Sequence, residues 1–295
     1  MHVFVTGATG WIGSAVVDQL LDAGHEVTGL ARSDASAEIL EKKGAGVRRG
    51  GLDDLDGIRA GADRADAVVH LANKHDFAHP EVSNRAERDA VRAIGETLVG
   101  SRRPFAVAAG LAFLAPGRVA TEQDRSPFHG LDSLRGGSEN LALEFADRGV
   151  GTVIVRFAPT VHGEGDHGFL PGLVATARTK ALAGYVGDGT NRWAAIHRDD
   201  AGAVVRLALE KQLPAGTVLH ATAETGIPMR EIAEAIGRGL DVPAASVPED
   251  RAGAHFGWLS KFAGADMAAA SDTTRSLLGW TPGGPTLAED LGSYL

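Results

Sequence analysis

The sequence predicts an α/β protein with a doubly wound parallel sheet and a small C-terminal α/β lobe. In the first half, short apolar runs of strand length alternate with helical patterns, as in a parallel sheet wrapped by helices. A turn with three glycines joins the first predicted strand to the first predicted helix. After residue 158 the alternation ends in a loop rich in glycine, proline and histidine, followed by shorter elements. These patterns together place a ligand crevice at the carboxyl edge of the sheet.

The elements of the first half follow from length and periodicity. Short β-type runs predict strands over residues 2–5, 26–31, 46–49, 67–72, 105–109 and 151–157. Helical patterns between them predict helices over residues 10–23, 35–43, 55–61, 80–100 and 133–148. This order implies right-handed crossovers between parallel strands.

The second half begins with APTVHGEGDHGFLPG, residues 158–172, which we predict to be a long functional loop. Beyond it we predict a helix over residues 170–183, a turn at 187–192, a helix from Asp199 and a strand over 217–221. The predicted domains are a Rossmann-type NADP-binding domain of residues 1–160 plus part of 195–225, and a substrate-binding lobe of residues 161–194 and 226–295.

The composition is that of an ordinary globular protein, since 44% of its 295 residues are hydrophobic and 23% are charged. A formal net charge of −9 argues against a nucleic-acid or anionic-membrane surface, because phosphate binding depends on clustered lysine and arginine. The absence of cysteine excludes disulfides, a thiolate nucleophile and a zinc–cysteine site. No apolar run reaches transmembrane length and no basic leader opens the chain, so we expect a cytoplasmic protein. We expect a monomer or homodimer that acts on a small-molecule substrate.

The glycine-rich turn in VFVTGATGWIGSAVVDQLL predicts a dinucleotide site. Gly7 permits the tight turn, Gly10 lets backbone amides approach a pyrophosphate, and Gly13 allows the helix to pack closely on the sheet. The amino terminus of the helix then faces the anionic pyrophosphate. The residues of this turn predicted to contact the cofactor are Gly7, Thr9, Gly10, Trp11, Ile12 and Gly13.

The end of the second strand favours NADP(H) over NAD(H). An acidic residue there would accept hydrogen bonds from the adenosine ribose, whereas this chain has Ala31, Arg32 and Ser33. Arg32 can make charge-assisted bonds to a 2′-phosphate, and Ser33 can add another. The alternative is that Arg32 is a solvated charge at a strand end.

Several segments resemble the extended short-chain dehydrogenase/reductase superfamily, in its NAD-dependent epimerase/dehydratase-like branch. They are TGATGWIG, GLDDL, VVHLA, VRFAPTVHG and GDGTNRWAAIHRDDA, and the resemblance runs nearly end to end. It implies that Leu52 and Asp53 lie near adenine. It also implies further cofactor contacts from Leu71, Ala72, Asn73, Ala109, Pro159 and Val161 around the nicotinamide and its ribose. Gly51 is a departure, because the family usually has an aspartate there for the adenine amino group.

The resemblance also implies a catalytic serine, tyrosine and lysine, which this chain does not have at the matching places. Ala109 and Gly110 stand where the serine is expected, and the Tyr-x-x-Ser-Lys pattern aligns with residues 135–139. The chain has two tyrosines, Tyr185 and Tyr294, and neither is followed by a lysine four residues later. The sequence therefore resembles an atypical member of the family.

Arg135 and Glu139 occupy the tyrosine and lysine places and, being four residues apart on the predicted helix, share one of its faces. One interpretation is an intrahelical ion pair of little energetic value. The other is that Arg135 supports the ribose or a bound anion. Arg135 is a poor general acid in either case, because its proton does not leave at physiological pH.

Other side chains are candidates for the proton donor. Lys74, His75 and Asp76 follow the fourth strand directly, and His75 is suited to proton transfer near neutral pH. His162 lies in the loop after the sixth strand, where the family usually has a tyrosine. For each histidine, a packing or loop-capping role is the alternative.

The resemblance of the GDGTNRWAAIH segment implies substrate contacts from Arg192, Trp193 and His197, although Trp193 can equally belong to the core. Gly110, Leu111 and His167 are also predicted to contact the substrate. We predict no metal, because no helical His-Glu-x-x-His pattern exists, and no serine hydrolase, because there is no G-x-S-x-G elbow.

Three hypotheses for function remain at this point. The first is an NADPH-dependent reductase of a small carbonyl or imine, in which a group other than tyrosine, or water, supplies the proton. The second is an NADP(H)-binding protein without redox turnover, and the third is lyase or isomerase chemistry on the same scaffold. We favour the reductase, because the loops at the sheet edge carry many polar groups.

Overall fold

Seven parallel strands form the central sheet of the computed structural model, which describes residues 1–76 and 79–295. The strands are β1 (His2–Thr6), β2 (Glu26–Ala31), β3 (Gly46–Arg49), β4 (Ala67–His70), β5 (Pro104–Gly110), β6 (Gly151–Phe157), β7 (Thr160–His162), β8 (Ala183–Val186), β9 (Arg192–His197), β10 (Thr217–Ala221), β11 (Glu224–Pro228) and β12 (Ala244–Val247). The central sheet has the order β10-β6-β5-β4-β1-β2-β3 with parallel pairing throughout. The strand order reverses at β1, which opens a crevice between the carboxyl ends of β1 and β4.

Helices cover both faces of this sheet, as the fold class predicted. They are α1 (Trp11–Asp22), α2 (Asp34–Lys43), α3 (Leu55–Arg64), α4 (Pro80–Leu98), α5 (Ser138–Leu143), α6 (Phe169–Lys180), α7 (Arg198–Glu210), α8 (Met229–Leu240), α9 (Glu249–Phe256), α10 (Ser260–Ala263), α11 (Asp272–Leu278) and α12 (Leu287–Asp290). Short 3₁₀ helices span Leu134–Gly137, Ala146–Arg148, Gly257–Leu259 and Leu291–Tyr294. The α1, α2 and α7 side chains pack on one face, and those of α3, α4 and α5 pack on the other.

A smaller lobe with its own core completes the fold. It contains the three-stranded sheet β11-β9-β7 and the parallel pair β12-β8. Its core is built around the buried side chains of Trp193, Phe256 and Met267, which α6 and α8 cover. Across the described residues, no helix combines the length and the apolarity that crossing a membrane requires.

The predicted helix over residues 133–148 is wrong, because the chain forms three shorter pieces there. A 3₁₀ turn precedes α5, and a second 3₁₀ turn follows it. The φ angles of Arg135, Gly136 and Gly137 are 49°, 61° and 63°, in the left-handed region. Left-handed residues cannot continue a right-handed helix, so the α-helix begins only at Ser138.

Candidate functional site

The glycine-rich turn brings β1 against the chain that follows β4. Gly7 has a φ of +69°, and a Cβ atom built on it would lie 2.7 Å from the backbone nitrogen of Ala72. A Cβ atom on Gly13 would lie 2.0 Å from the carbonyl oxygen of Gly7. The turn therefore has no room for side chains at these positions, which is the close approach that the sequence predicted.

The amino terminus of α1 is open toward this turn. The helix begins at Trp11 with Gly10 as its N-cap, and in the part of the chain that the structure describes no side chain caps its first amides. Unpaired amides at a helix start bind anions such as a pyrophosphate. The residues present therefore fit a dinucleotide, which Gly7, Thr9, Gly10, Trp11, Ile12 and Gly13 would hold.

Arg32 lies exposed directly after β2, at the same edge of the sheet. Within the described part of the chain, no carboxylate pairs with it. The Ser33 hydroxyl is already engaged, since it caps α2 by accepting a hydrogen bond of 3.2 Å from the Ser36 amide. Gly51 faces Arg32, because a Cβ atom on Gly51 would lie 3.8 Å from the Arg32 Cβ. The guanidinium of Arg32 is therefore available to an anion.

The segment after β4 connects Lys74, a candidate proton donor, to Asp53, which the resemblance places near adenine. The Lys74 ammonium donates hydrogen bonds of 2.8 and 2.9 Å to the carboxylate oxygens of Asp53. Asp53 is next to Leu52, which is 9% exposed, while Leu71 and Ala72 are half-buried. Lys74 is thus held toward the predicted adenine side.

Glu87 is a fully buried carboxylate behind the site, on α4. The Asn73 amide donates a hydrogen bond to it. The Arg135 guanidinium donates two more, from Nε at 3.0 Å and from Nη2 at 2.6 Å. Burial raises the pKa of Glu87, and the charge of Arg135 opposes that rise.

The expected ion pair between Arg135 and Glu139 is wrong, since each has a different partner. Glu139 accepts hydrogen bonds from Arg156 of β6, at distances of 2.5 to 3.2 Å. The reason is the left-handed backbone at Arg135, which directs that side chain toward Glu87 on α4. Arg156 also donates to Nε2 of His220 at 3.2 Å. Glu139, Arg156 and His220 therefore form a buried, hydrogen-bonded cluster.

His75 is exposed at the sheet edge and has a left-handed backbone, with a φ of 51°. Its amide donates a hydrogen bond of 2.7 Å to the side chain of Asn73. Partial burial lowers the pKa of His75, and the positive charges of Arg135 and His167 lower it further. Arg135 and His167 are therefore close enough to His75 to interact with it electrostatically.

Asp76 contacts His79, because its carboxylate accepts a 3.0 Å bond from the His79 amide and lies 3.1 Å from Nδ1 of that ring. It therefore helps to begin α4 at Pro80.

His162 is fully buried, at 0% exposure. Its Nδ1 lies 2.9 Å from a carboxylate oxygen of Asp290, and its ring contacts that of His197 with centroids 5.6 Å apart. His197 caps α7 by accepting a hydrogen bond from the Asp199 amide at 3.3 Å. Both rings therefore have packing and capping contacts.

Trp11 connects the cofactor turn to the loop after β7. Its indole N–H donates a hydrogen bond of 2.7 Å to the carbonyl oxygen of Val161. The guanidinium of Arg198 lies 4.6 Å above the indole, and the ring of His167 lies edge-on at 5.9 Å. Pro159 and Val161 are consequently held beside the turn, where the resemblance placed the nicotinamide.

The predicted substrate contacts divide into two groups. Arg192 is paired with Asp266 at 2.7 Å, and Trp193 is 1% exposed in the lobe core, so these two stabilise the lobe. Gly110 differs, because a Cβ atom on it would meet nothing within 4 Å. Its neighbours Ala109 and Leu111 are buried. The open space at the end of β5 lies beside Gly110.

Sequence reasoning missed Glu87 and Tyr294. Glu87 interrupts the apolar face of α4, which is a signal for a buried, paired carboxylate. The Tyr294 hydroxyl donates to the carbonyl oxygen of Gly163 at 3.0 Å and accepts from its amide at 2.9 Å. No local sequence pattern predicts the contact between Gly163 and Tyr294, because the two residues are 131 positions apart. Among the residues that the structure describes, no cluster of potential ligands could hold a metal ion.

Comparison with known proteins is consistent with this geometry. The NAD dependent epimerase/dehydratase family matches residues 3–97. The uncharacterized protein C2A9.02 of Schizosaccharomyces pombe is 44% identical over 99% of both chains. The 4-hydroxy-2-methyl-3-oxo-4-farnesyl-3,4-dihydroquinoline-1-oxide ketoreductase of Stigmatella aurantiaca is 27% identical, over 87% of this chain and 80% of that protein. The fold is also that of human epimerase family protein SDR39U1 with NADPH, with a TM-score of 0.73 at 20% identity, covering 100% and 99% of the two chains.

Proposed function

Because this chain belongs to the extended short-chain dehydrogenase/reductase superfamily, in its NAD-dependent epimerase/dehydratase-like branch, we propose that it is an NADPH-dependent reductase of a small carbonyl or imine. The observation that carries the proposal is the Arg32 guanidinium, which has no carboxylate partner among the described residues and lies at the same sheet edge as the start of α1, where Gly10 provides no side-chain cap. The similarity to a ketoreductase supports the reductase chemistry. The bound cofactor would supply the hydride.

Arg32 supports NADP(H) because a 2′-phosphate needs a cation at the end of β2. The chain has no acidic residue at positions 31–33, so no carboxylate there accepts hydrogen bonds from an unmodified ribose. Gly51 leaves the space beside Arg32 free of a carboxylate. The two positions together favour a phosphate over a hydroxyl.

The first prediction concerns this preference. NADPH is expected to bind at least about tenfold more tightly than NADH, since a charge-assisted hydrogen bond is worth roughly 1.5 to 3 kcal/mol. Arg32→Ala should remove the difference, as measured by isothermal titration. Arg64→Ala is the matched control, because Arg64 ends α3 at the opposite edge of the sheet. Equal affinities in the parent protein contradict the proposal.

We propose His75 as the proton donor. Lys74 is held by Asp53, and His162 is enclosed and lies against Asp290, whereas His75 is exposed beside Arg135 and His167. The lowered pKa keeps His75 mostly neutral at pH 7, so its acid form grows as the pH falls. The Arg135 charge would also attract a developing alkoxide.

The second prediction tests this role. His75→Gln should lower the rate of carbonyl reduction about 10² to 10⁴-fold, as expected for loss of a positioned general acid, and leave NADPH affinity unchanged. The parent rate should rise as the pH falls toward 6, because the pKa of His75 lies below 6.5. His162→Gln is the comparison variant. A rate that is retained without His75 means that water or the substrate supplies the proton, and NADPH binding without any turnover means a non-redox protein.

A further inference from the structure

A cleft of about 470 Å³ lies between α6, the loop after β7 and the C-terminal 3₁₀ helix. Its lining includes Gly163 and Asp166 of the loop, Val174 and Arg178 of α6, and Tyr294. A volume of this size is typical of small-molecule sites in proteins. None of the residues that line the cleft is a predicted cofactor, substrate or proton-donor position. The cleft is therefore a candidate for a second ligand.

Asp166 is a half-buried carboxylate in this cleft that lacks a cationic partner. Its Oδ1 accepts a hydrogen bond of 2.7 Å from the Gly168 amide, and its Oδ2 accepts one of 3.2 Å from the Tyr294 hydroxyl. Both donors are neutral, and no lysine, arginine or histidine of the described residues lies at ion-pair distance from the carboxylate. Burial raises the pKa of Asp166, because the charged form loses hydration. A positively charged ligand group would stabilise this carboxylate.

Arg178 supplies the opposite charge elsewhere in the cleft. It lies exposed in the last turn of α6, and its Nη2 donates a hydrogen bond of 3.4 Å to the carbonyl oxygen of Tyr294. In the part of the chain that the structure describes, no carboxylate forms an ion pair with this guanidinium, and Asp166 is no exception. The cleft thus contains one cation and one anion that the described protein does not neutralise.

Tyr294 relates the positions of the two charges. Its hydroxyl contacts Asp166 and its backbone carbonyl contacts Arg178, so the charges are separated by about the length of a tyrosine side chain. Along α6, Pro171, Val174 and Arg178 follow one another at intervals of three and four residues and share the face that lines the cleft. The cleft therefore has a charged group at each end and apolar side chains between them.

We propose that this cleft binds a small zwitterion in which an apolar chain separates a primary ammonium from a carboxylate. The ammonium would donate hydrogen bonds to Asp166, and the carboxylate would accept hydrogen bonds from the Arg178 guanidinium. The apolar chain would cover Pro171 and Val174. The site is one for binding alone, and it is independent of the proposed reductase chemistry.

The test compares 6-aminohexanoate, hexylamine and hexanoate by NMR titration of the full chain. 6-Aminohexanoate should bind at least about threefold more tightly than either compound with a single charge, because it alone contacts both Asp166 and Arg178. Asp166→Asn should weaken 6-aminohexanoate and hexylamine about tenfold without weakening hexanoate, because the half-buried carboxylate is lost. Arg178→Gln should weaken 6-aminohexanoate and hexanoate about threefold without weakening hexylamine, since an exposed charge contributes less.

Glu164→Gln and Lys180→Gln are the matched controls for these two substitutions. Each removes an exposed charge of the same sign, two residues from the tested position, from a side chain that does not line the cleft. Both should leave the three affinities unchanged, and urea unfolding of every variant reports on folding. The inference is overturned if 6-aminohexanoate does not bind, if the three compounds bind equally, or if the control variants lose as much affinity as Asp166→Asn and Arg178→Gln. NADPH oxidation plays no part in these titrations, so it tests the proposed function separately.

Discussion

Glu87 is the residue that organises the polar side of the site. It is fully buried, and it accepts hydrogen bonds from Asn73 and Arg135, which come from segments far apart in the chain. The Asn73 side chain in turn accepts from the amide of His75. A buried carboxylate without a partner is strongly destabilising, so the Arg135 cation is needed where Glu87 is ionised. One carboxylate therefore positions Asn73 and Arg135 and, through Asn73, the backbone of the proposed proton donor, His75.

The third prediction follows from this pairing. Arg135→Ala should lower the free energy of unfolding by about 3 kcal/mol, because Glu87 is left buried without its cation. The double variant Arg135→Ala/Glu87→Gln should recover about 1 kcal/mol or more, because a neutral amide needs no counter-charge. Urea unfolding measures both. Arg192→Ala, which breaks the more exposed pair with Asp266, should cost only about 1 kcal/mol. A double variant no more stable than Arg135→Ala contradicts the account.

Residue roles were predictable where chemistry is local, and less so where it depends on distant partners. The glycines of the first turn are recognised from their spacing alone, because the close approach lies within one strand–turn–helix unit. The partner of Arg135 could not be inferred from spacing, since Glu87 is 48 positions away. The helical pattern made Glu139 the expected partner of Arg135. The left-handed φ of Arg135 breaks the helix there, so the two side chains do not share a helix face.

At the scale of elements, the 3₁₀ turn over Leu134–Gly137 decides which side chains reach the site. It ends the loop from β5 and turns Arg135 toward α4 before α5 begins. The adjacent glycines were a visible signal, because Gly-Gly within a helical pattern marks a break. The helical periodicity of the residues on either side nevertheless predicted one continuous helix. The turn, rather than a regular helix, accounts for the separate partners of Arg135 and Glu139.

The fourth prediction tests the turn. A Cβ atom on Gly137 would lie 2.9 Å from backbone atoms of residues 128–130, and its φ is 63°. Gly137→Ala should therefore cost about 3 kcal/mol, combining left-handed strain with displacement of rigid backbone. Gly130→Ala is the matched control, because its φ of 74° is equally left-handed while nothing lies within 4 Å of the added atom. It should cost about 1 kcal/mol in urea unfolding. If both substitutions lower the free energy of unfolding equally, left-handed strain alone accounts for the loss and the close backbone contact at Gly137 contributes nothing.

Across the whole molecule, the sheet was predictable and the small lobe much less so. Buried parallel strands are largely apolar runs, so β1, β2, β4, β5 and β6 follow from local composition, whereas β3 is an edge strand with two arginines. The lobe sheet joins β7, β9 and β11, which are short and come from separate stretches of the chain. The ring contacts among Phe113, Phe169 and Phe262 likewise join three separate segments, and no single window of sequence contains them. Only long-range packing assembles these parts.

Two buried histidines, His70 on β4 and His220 on β10, link the stability of the sheet to pH. Both are 0% exposed. Burial lowers the pKa of His70 from 6.5 to about 3, and the charge of Arg135 adds to the effect. Burial likewise lowers the pKa of His220 to about 4, and the Arg156 charge adds to that lowering, while the hydrogen bond to the Ala270 carbonyl oxygen opposes it. Both rings are therefore neutral in the folded protein at neutral pH.

The fifth prediction is that stability falls as the pH decreases from about 6.5 toward 4. In that range the unfolded chain binds protons at both histidines while the folded protein does not, so the free energy of unfolding must decrease. Each histidine contributes up to roughly 1.4 kcal/mol per pH unit. Glu87 acts in the opposite direction, because its pKa is raised by burial and protonation favours the folded state. Urea unfolding at pH 7, 6 and 5 measures the slope, which His70→Gln and His220→Gln should each reduce. A slope that neither substitution changes means that other groups control the acid sensitivity.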